Sequence, residues 1–532
     1  MTPELTILGR AHPRLLARPD VTLRKGRFTL VNDTQSPRDA TIADLVAIHD
    51  ALDAHGIEHL LVRRDDDRPV IAVDRARSRE TAAALAAEFS MEPFYARVGS
   101  QPEVLVAEGV FAPGARARVL KLYRPRASRT GRLRYGAAGG VRLELWEFGA
   151  DVINAPAENA LMRRVLPRTE AIDATLERYG RTWRTLGGMF DVLASDVTFD
   201  IDIVFSWVDG TSSEFQRARA QRMKAYVVGE GDDSEARYRQ IDELKYALRS
   251  VYLYAPWIRR IFIVTDSPAP VWLADHPAVT IVRSEEFFSD PEALPTHNSH
   301  AVESQLHKID GLSEHFLYSN DDMFFGRPVR PEMFFSPGGI TKFIEATTRI
   351  GLGEPDSARS GFENAARVNR ALLRQRFGRV TTRHLEHAAT PLRRSVMADL
   401  EAEFPDDFAR TARSAFRSAT DVSVTNSLYH YYALMTGRAV VQSEASVRYI
   451  ETTLAMAPGE MDTLLKRRDY DFFCLNDGSQ PEISVARRTK TVRAFLEGYF
   501  SVAAPWERAP SELLKPGPGW ASSSGARAQP AS

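Results

Sequence analysis

Cysteine is almost absent from this chain: Cys474 is the single one in 532 residues. One cysteine excludes an intrachain disulfide framework and any cysteine-rich metal centre, and it fits a reducing compartment, so a cytoplasmic protein is expected. Long apolar runs are missing as well. No stretch of about 18 apolar residues occurs, so nothing reads as a membrane span, and the opening MTPELTILGRAHPRLL lacks the apolar centre of a signal peptide. Neither sign of charge dominates. The 69 Lys and Arg against 70 Asp and Glu leave a net charge of −1, which removes the bulk electrostatic case for nucleic acid. Internal repeats are also lacking. What is present is 44% hydrophobic and 26% charged residues, enough to bury a sizeable core and, at this length, more than one domain.

The chemistry-bearing pattern is a set of apolar strands that run straight into acids. DIDIVFSWVDG (Asp200–Gly210) is the first, IFIVTD (Ile261–Asp266) the second and HFLYSNDDMFFG (His315–Gly326) the third. In an open α/β sheet, ligands bind at the carboxyl ends of the strands, so these acids are expected on one edge. Adjacent carboxylates such as Asp321 and Asp322, preceded by Asn320, suit a Mg²⁺ or Mn²⁺ ion bound through hard oxygen ligands. An Asn-Asp-Asp run is equally the composition of a turn. Asp209-Gly210 reads either as a close backbone approach to a nucleotide or as a plain strand-to-loop turn. Trp207 reads as a base-stacking ring or as core. The aromatics Phe316, Tyr318, Phe324 and Phe325 read mostly as core.

The expected fold is α/β: a core with a mainly parallel or mixed sheet, a helical insert and a small N-terminal α/β domain. Residues 1–195 form the accessory domain, with a helix in Leu45–Arg63 stopped at Gly56, strands after it and at Pro69–Asp74, and a helix at Glu80–Phe89. No catalytic constellation is visible there. The basic run from Arg116 to Arg134 reads as a solvated face in preference to a polyanion-binding surface. Residues 196–505 form the catalytic domain. In it, Tyr238, Ile241, Leu244, Leu248 and Val251 recur at helical spacing, predicting a helix over Glu235–Tyr254 ended by Pro256, with Asp242 and Glu243 in its first turns. Residues 359–437 are expected to be mainly helical, with His387 and Arg417 inside that region. Residues 506–532 carry the composition of a disordered tail.

Taken together the motifs resemble the Stealth family, sugar-phosphate transferases that include bacterial capsule and exopolysaccharide polymerases and the lysosomal-enzyme N-acetylglucosamine-1-phosphotransferase. Four blocks carry the resemblance over about residues 200–480: IDIVFSWVDG (Ile201–Gly210), the stretch Arg237–Leu273, the stretch from His384 through FPDDF (Phe404–Phe408) to YHYYALM (Tyr429–Met435), and FFCLND (Phe472–Asp477). The resemblance implies a nucleotide-sugar-binding core that transfers a hexose 1-phosphate from a UDP-sugar to a hydroxyl of a cell-surface or exported polysaccharide, releasing UMP. It implies His387 as general base or as a donor to the phosphoryl oxygens, and Arg417 as a bidentate phosphate contact. Asp321 and Asp322 match the family's NDD element as metal-binding and catalytic acids. Asp209, Gly210, Asp242, Glu243, Asn320, Asn476 and Asp477 are implied in substrate binding. A divalent cation, Mg²⁺ or Mn²⁺, is the implied cofactor. The implied partners are a UDP-sugar donor and a polysaccharide or oligosaccharide acceptor, with peripheral association at the cytosolic membrane face. Two departures stand out: Gln240-Ile241 replaces an Asp-Asn pair, removing a carboxylate, and the proline after His387 comes late, in HAATP. A metal-dependent glycosyltransferase releasing UDP and a catalytically silent glycan-binding protein are the alternatives.

Overall fold

Ser36-Pro37 is a helix-start signature, and it opens the first long helix of the computed structural model, which describes residues 12–66, 68–109, 117–210, 217, 241–478 and 480–509. Helix α1 (Pro37–Ala54) has proline in its first turn, where the missing N–H costs nothing, and the Ser36 hydroxyl accepts from the Asp39 amide at 3.1 Å. It ends before Gly56, which takes φ +61°. The chain then enters β1 (His59–Val62) and β2 (Val70–Asp74), crosses helix α2 (Ser78–Glu88), and continues through β3 (Tyr95–Val98), β4 (Val119–Tyr123) and β5 (Val141–Phe148). These strands belong to one eight-stranded sheet, in which β2 runs parallel to β5 and antiparallel to β1. A hairpin, β6 (Asp173–Arg178) and β7 (Arg181–Leu186), places Trp183 over this sheet's core, fully buried.

The basic run is a solvated face only in part: Arg129, Arg132 and Arg134 are exposed, whereas the described arginines before them are held inward. Arg126 is buried and donates through both terminal nitrogens to Asp44, which also takes the Arg124 Nε at 2.7 Å. Arg118 donates to the carbonyls of Leu145 and Asn154, and Arg129 pairs with Asp33. Buried guanidinium groups require such partners, and one carboxylate on α1 serves two of them. Arg116 lies outside the described residues.

The second half is built on a five-stranded sheet. Strand β8 (Ile201–Ser206) leads, by way of helix α3 (Glu243–Tyr254), to β9 (Ile261–Val264) and β10 (Val279–Val282). The short helix α4 (Ser299–Glu303) precedes β11 (His315–Asn320) and the three-residue β12 (Met323–Phe325). Helix α5 (Gly361–Phe377), strand β13 (Thr390–Arg393), helices α6 (Arg394–Glu403), α7 (Pro405–Arg413) and α8 (Tyr429–Met435), strands β14 (Val447–Glu451) and β15 (Phe472–Asn476) and helix α9 (Val485–Tyr499) follow. Across the sheet the order is β10-β9-β8-β11-β13, with the first four parallel and β13 an antiparallel edge. The chain adds strands outward from β8 on one side and then returns to the other side with β11. The reversal point therefore lies between β8 and β11, where such sheets open a crevice at the carboxyl ends of the strands.

Helix α3 packs Leu244, Ala247, Leu248 and Val251 into this core, so the 3.6-residue spacing is satisfied from Glu243 onward. The helix starts later than expected within the described residues: Asp242 stands just before it at φ +63°, in the left-handed region, rather than inside its first turn. The expected helix over 235–240, with Tyr238 and Gln240, lies outside the described residues, as does the tail from 510 onward. The stretch 359–437 holds helices but also the strands Arg383–Leu385 and β13, and His387 sits in the bend between those two strands. Arg417 likewise occupies a loop after α7. Both had been expected in helix; short β-branched and proline-containing segments around Thr390-Pro391 favour an edge strand instead. Among the described residues, no helix is long and apolar enough to cross a membrane.

Candidate active site

Acids at the two ends of the sheet behave differently. At its start, Asp202 is fully buried and receives both Nε (2.9 Å) and Nη2 (2.6 Å) of Arg259, together with the Ser313 amide. That carboxylate holds the base of the sheet. At the carboxyl end, the backbone amide of Asp209 donates to Ser267 Oγ at 2.9 Å, which ties the loop after β8 to the loop after β9. Asp266 accepts the Ser284 amide at 2.8 Å and so anchors the turn after β10. Trp207 between them is buried in the core. Asn320, Asp321 and Asp322 leave β11 on the same edge, beside the strand that ends at Ser206.

Two arms reach this edge. The first is made by β12, which pairs antiparallel with β15 so that Met323 faces Cys474, and by β14, which pairs parallel with β15 so that Tyr449 faces Cys474 and Glu451 faces Asn476. The register brings the Cys474 thiol within 3.4 Å of Asp322 Oδ2, and the Leu475 amide donates to the Asp322 carbonyl. Asp477 follows: its Oδ1 accepts from Thr452 Oγ1 at 2.5 Å and pairs with the buried Arg488 guanidinium, which also donates to Thr452. The carbonyl of Asn476 accepts from the Thr452 amide. Glu243, the first residue of α3, is buried against the same group and accepts the Ile241 amide at 2.5 Å. Asp242 is exposed.

The electrostatics follow from this crowding. Burial, and next the charge of Asp321, pushes Glu243 up to about 7. Burial also pushes Asp322 up to about 6, with Glu243 and Asp477 adding to it and the Cys474 hydrogen bond opposing. The thiol itself is driven well above its ordinary range by burial beside these carboxylates. Although Asp322 as a residue is half-buried, its Oδ1 is closed off from solvent with no hydrogen-bond partner. An orphaned carboxylate oxygen among other acids is the donor set a hard divalent cation requires. The acids do not by themselves form a tight cage; Mg²⁺ characteristically takes one or two carboxylates and completes its shell with water and substrate phosphate oxygens.

The second arm is the loop after α7, which carries Arg417. Arg417 Nη2 donates to Ser299 Oγ on α4 at 2.7 Å. The loop bearing it is clamped from below: Asn298 Nδ2 donates to the Ser414 and Phe416 carbonyls and to Asp421, and the His297 ring stacks on Phe416. Glu303, at the end of α4, is buried between Thr425 Oγ1 at 2.7 Å and the Tyr318 hydroxyl at 3.5 Å, and burial raises its pKa against the pull of Arg417. Asn320 Oδ1, at 3.1 Å, is the nearer acceptor for the single Tyr318 hydroxyl proton. Arg417 is thus linked through Glu303 and Tyr318 to the Asn320-Asp321-Asp322 turn. Thr425 itself belongs to a π-helical turn, Val424–Leu428, that leads into α8.

His387 approaches from the other side. Its ring lies edge-on to Tyr449, with centroids 5.0 Å apart, and Phe362 stands beyond at 6.4 Å. Burial, and next the neighbouring His384, lowers its pKa, so it is neutral at physiological pH. Tyr449 is hydrogen-bonded by Asn476 and feels the charge of Asp322, with its own pKa raised chiefly by burial. A tyrosine ring therefore joins His387 to the acid cluster. Residue reasoning from sequence missed Asn298, Glu303, Tyr449 and Arg488, and used Cys474 only as a guide to compartment. Glu303 sits in an unremarkable polar helix, and its burial alone distinguishes it.

Comparison with known proteins identifies the class. The chain matches Stealth protein conserved region 1 over residues 199–227, region 2 over 237–343, region 3 over 386–434 and region 4 over 462–515. It belongs to the Stealth family and is a sugar-phosphate transferase. Region 2 extends well past Leu273, where the sequence reading had ended it, and takes in Asn298, Glu303 and the Asn320-Asp321-Asp322 turn. Among individual relatives, the exopolysaccharide phosphotransferase CpsY of Mycobacterium tuberculosis is 57% identical over 500 residues, covering 93% of this chain and 94% of that protein. An exopolysaccharide phosphotransferase of Nocardia farcinica is 55% identical over 484 residues, covering 90% of each. A solved galactosyltransferase, LgtC with donor and acceptor sugar analogs, superposes with a TM-score of 0.29 and 12% identity over 58% of this chain and 98% of that one, too loosely to build on.

Proposed function

We propose that this enzyme transfers a hexose 1-phosphate from a UDP-sugar to a hydroxyl group of a growing exopolysaccharide and releases UMP. The observation that carries the reading is the convergence, at the reversal point of a parallel sheet, of Glu243, Asp321, Asp322 and Asp477 around a buried carboxylate oxygen with no partner. Asp321 and Asp322 would hold a divalent cation, Mg²⁺ or Mn²⁺, with Glu243 and Asp477 beside them. When bound, the cation supplies charge neutralisation for a diphosphate. The chain's own groups divide the remaining work. Neutral His387 accepts the proton of the attacking hydroxyl. Arg417, oriented by Ser299 and the buried Glu303, presents its planar fork to the phosphoryl oxygens in flight. Asp209 and Gly210, after β8, face the nucleoside, and Asn320, Asn476 and Asp242 line the same edge.

Residues 196–505 constitute the catalytic domain in this reading. Residues 1–195 act as an accessory domain, and the enzyme works at the cytosolic membrane face beside its assembly machinery. The test is product analysis with purified protein, Mg²⁺, a panel of UDP-hexoses and extracted surface polysaccharide. UMP formed by the wild type and not by His387→Ala is the expected result. UDP would make the protein a glycosyltransferase, and a UDP-sugar bound but unconsumed over hours would make it a glycan-binding protein.

A further inference from the structure

Far along the chain from the acid cluster, in the N-terminal half, two histidines and an aspartate meet where α1 hands over to β1. His49 and Asp53 stand one turn apart on α1, and His59 begins β1. One donor atom from each lies within 4.8 Å of the others. The two rings are nearly inaccessible, His49 at 4% and His59 at 6%, whereas the Asp53 side chain is 63% exposed, so the group opens to water on the carboxylate side. The Trp183 ring covers His49 from the interior at 4.2 Å.

The hydrogen bonds here set the tautomers in sequence. His59 Nδ1 lies 2.9 Å from the Ile57 carbonyl, which can only accept, so Nδ1 carries a proton. With that proton on Nδ1, the neutral form of the ring offers its Nε2 as an acceptor. That Nε2 lies 2.7 Å from His49 Nδ1, which must therefore donate. The remaining nitrogen, His49 Nε2, faces Asp53 Oδ2 3.3 Å away. A single tetrahedral ion bonded to each atom at about 2.0–2.2 Å spans that separation.

We propose that His49 Nε2 and the Asp53 carboxylate are the protein ligands of a transition-metal site of the Zn²⁺ class, with His59 behind as the residue that fixes the His49 tautomer. An imidazole nitrogen with a carboxylate oxygen selects Zn²⁺, Co²⁺ or Ni²⁺ over the Mg²⁺ expected at the acid cluster. A metal-bound histidine characteristically donates its other N–H to a neighbour, as His49 does to His59. The ligands sit at positions i and i+4 of one helix, with solvent able to complete the shell. The site pins the last turn of α1 against β1 and the Trp183 hairpin, and it is independent of the transfer reaction.

The test uses the full-length protein, stripped with a chelator and returned to excess Mg²⁺ so that the acid cluster is occupied. Zn²⁺ titration by calorimetry is expected to show one equivalent bound per chain. Asp53→Asn, an exposed substitution that leaves the fold intact by circular dichroism, should weaken it at least tenfold. His49→Gln should abolish it, and His59→Gln should weaken it by about 10- to 100-fold. Ni²⁺ should quench tryptophan emission in the wild type and not in Trp183→Phe. Absence of stoichiometric Zn²⁺ uptake, or uptake unchanged in both Asp53→Asn and His49→Gln, overturns the proposal. So does a nitrogen NMR spectrum at neutral pH, with Zn²⁺ present, in which His49 carries protons on both ring nitrogens, because a proton then fills the gap.

Discussion

Glu243 and Asp322 are held above their ordinary range, at about 7 and about 6, because burial disfavours their charged forms and the neighbouring acids add to the cost. Since the folded values exceed the unfolded ones, both groups stabilise the fold at pH below about 4, and that contribution is lost as pH rises through 6 to 7. For Glu243 the shift corresponds to roughly 3 kcal/mol. The Tm of chelator-treated protein should therefore fall between pH 5 and pH 8, and saturating Mg²⁺ should remove most of that fall by favouring the ionised forms. Asp322→Asn should reduce both the fall and the response to Mg²⁺, as thermal unfolding across pH with and without the ion will show. At Glu303 the expectation differs. Glu303→Gln keeps the shape between Thr425 and Tyr318 but removes the charge facing Arg417. Turnover should drop about tenfold or more with little change in Tm, read by steady-state kinetics beside the melting curve.

Elements explain why some of this was legible in the sequence and some was not. The strand-then-acid pattern at Ile201–Gly210, Ile261–Asp266 and His315–Asp322 placed these acids on one edge because a parallel sheet sends all its carboxyl ends one way. Helix α3 was visible from its spacing, but its start was not: Asp242 adopts a left-handed conformation that no periodicity signals. His387 and Arg417 looked helical because their surroundings are, and only the pairing of β11 with β13 reveals the strand beside His387. The pairing of β12 with β15, which seats Cys474 against Asp322, joins residues about 150 positions apart and leaves no local trace. That pairing requires Gly326, where an added Cβ would stand 2.5 Å from the Tyr470 carbonyl. Gly326→Ala should destabilise the protein by about 1–3 kcal/mol in denaturant titration, because a backbone oxygen cannot swing aside. At the entry to α1, Ser36→Ala should cost about 1 kcal/mol by the same measurement, since the hydroxyl caps the Asp39 amide.

In the whole molecule the two halves are not separable beads. Leu133 from the N-terminal half is buried in the same core as α3 and α9, the Arg468 guanidinium spans the Arg132, Gly498 and Tyr499 carbonyls, and the Tyr252 hydroxyl of α3 donates to Asp39 on α1. A fragment beginning at residue 196 should consequently unfold at lower denaturant concentration than the full chain and bind more of a hydrophobic dye, because its share of that common core would face water. The ordering of the acids along the chain has a consequence for synthesis. Glu243, Asp321 and Asp322 are synthesised well before Asp477, which follows β15, and Arg488 of α9, which pairs with it. Until they arrive, the set of groups around the Asp322 carboxylate is incomplete. On the proposed reading, a nascent chain should therefore neither hold a divalent cation firmly nor consume a donor before that segment is in place.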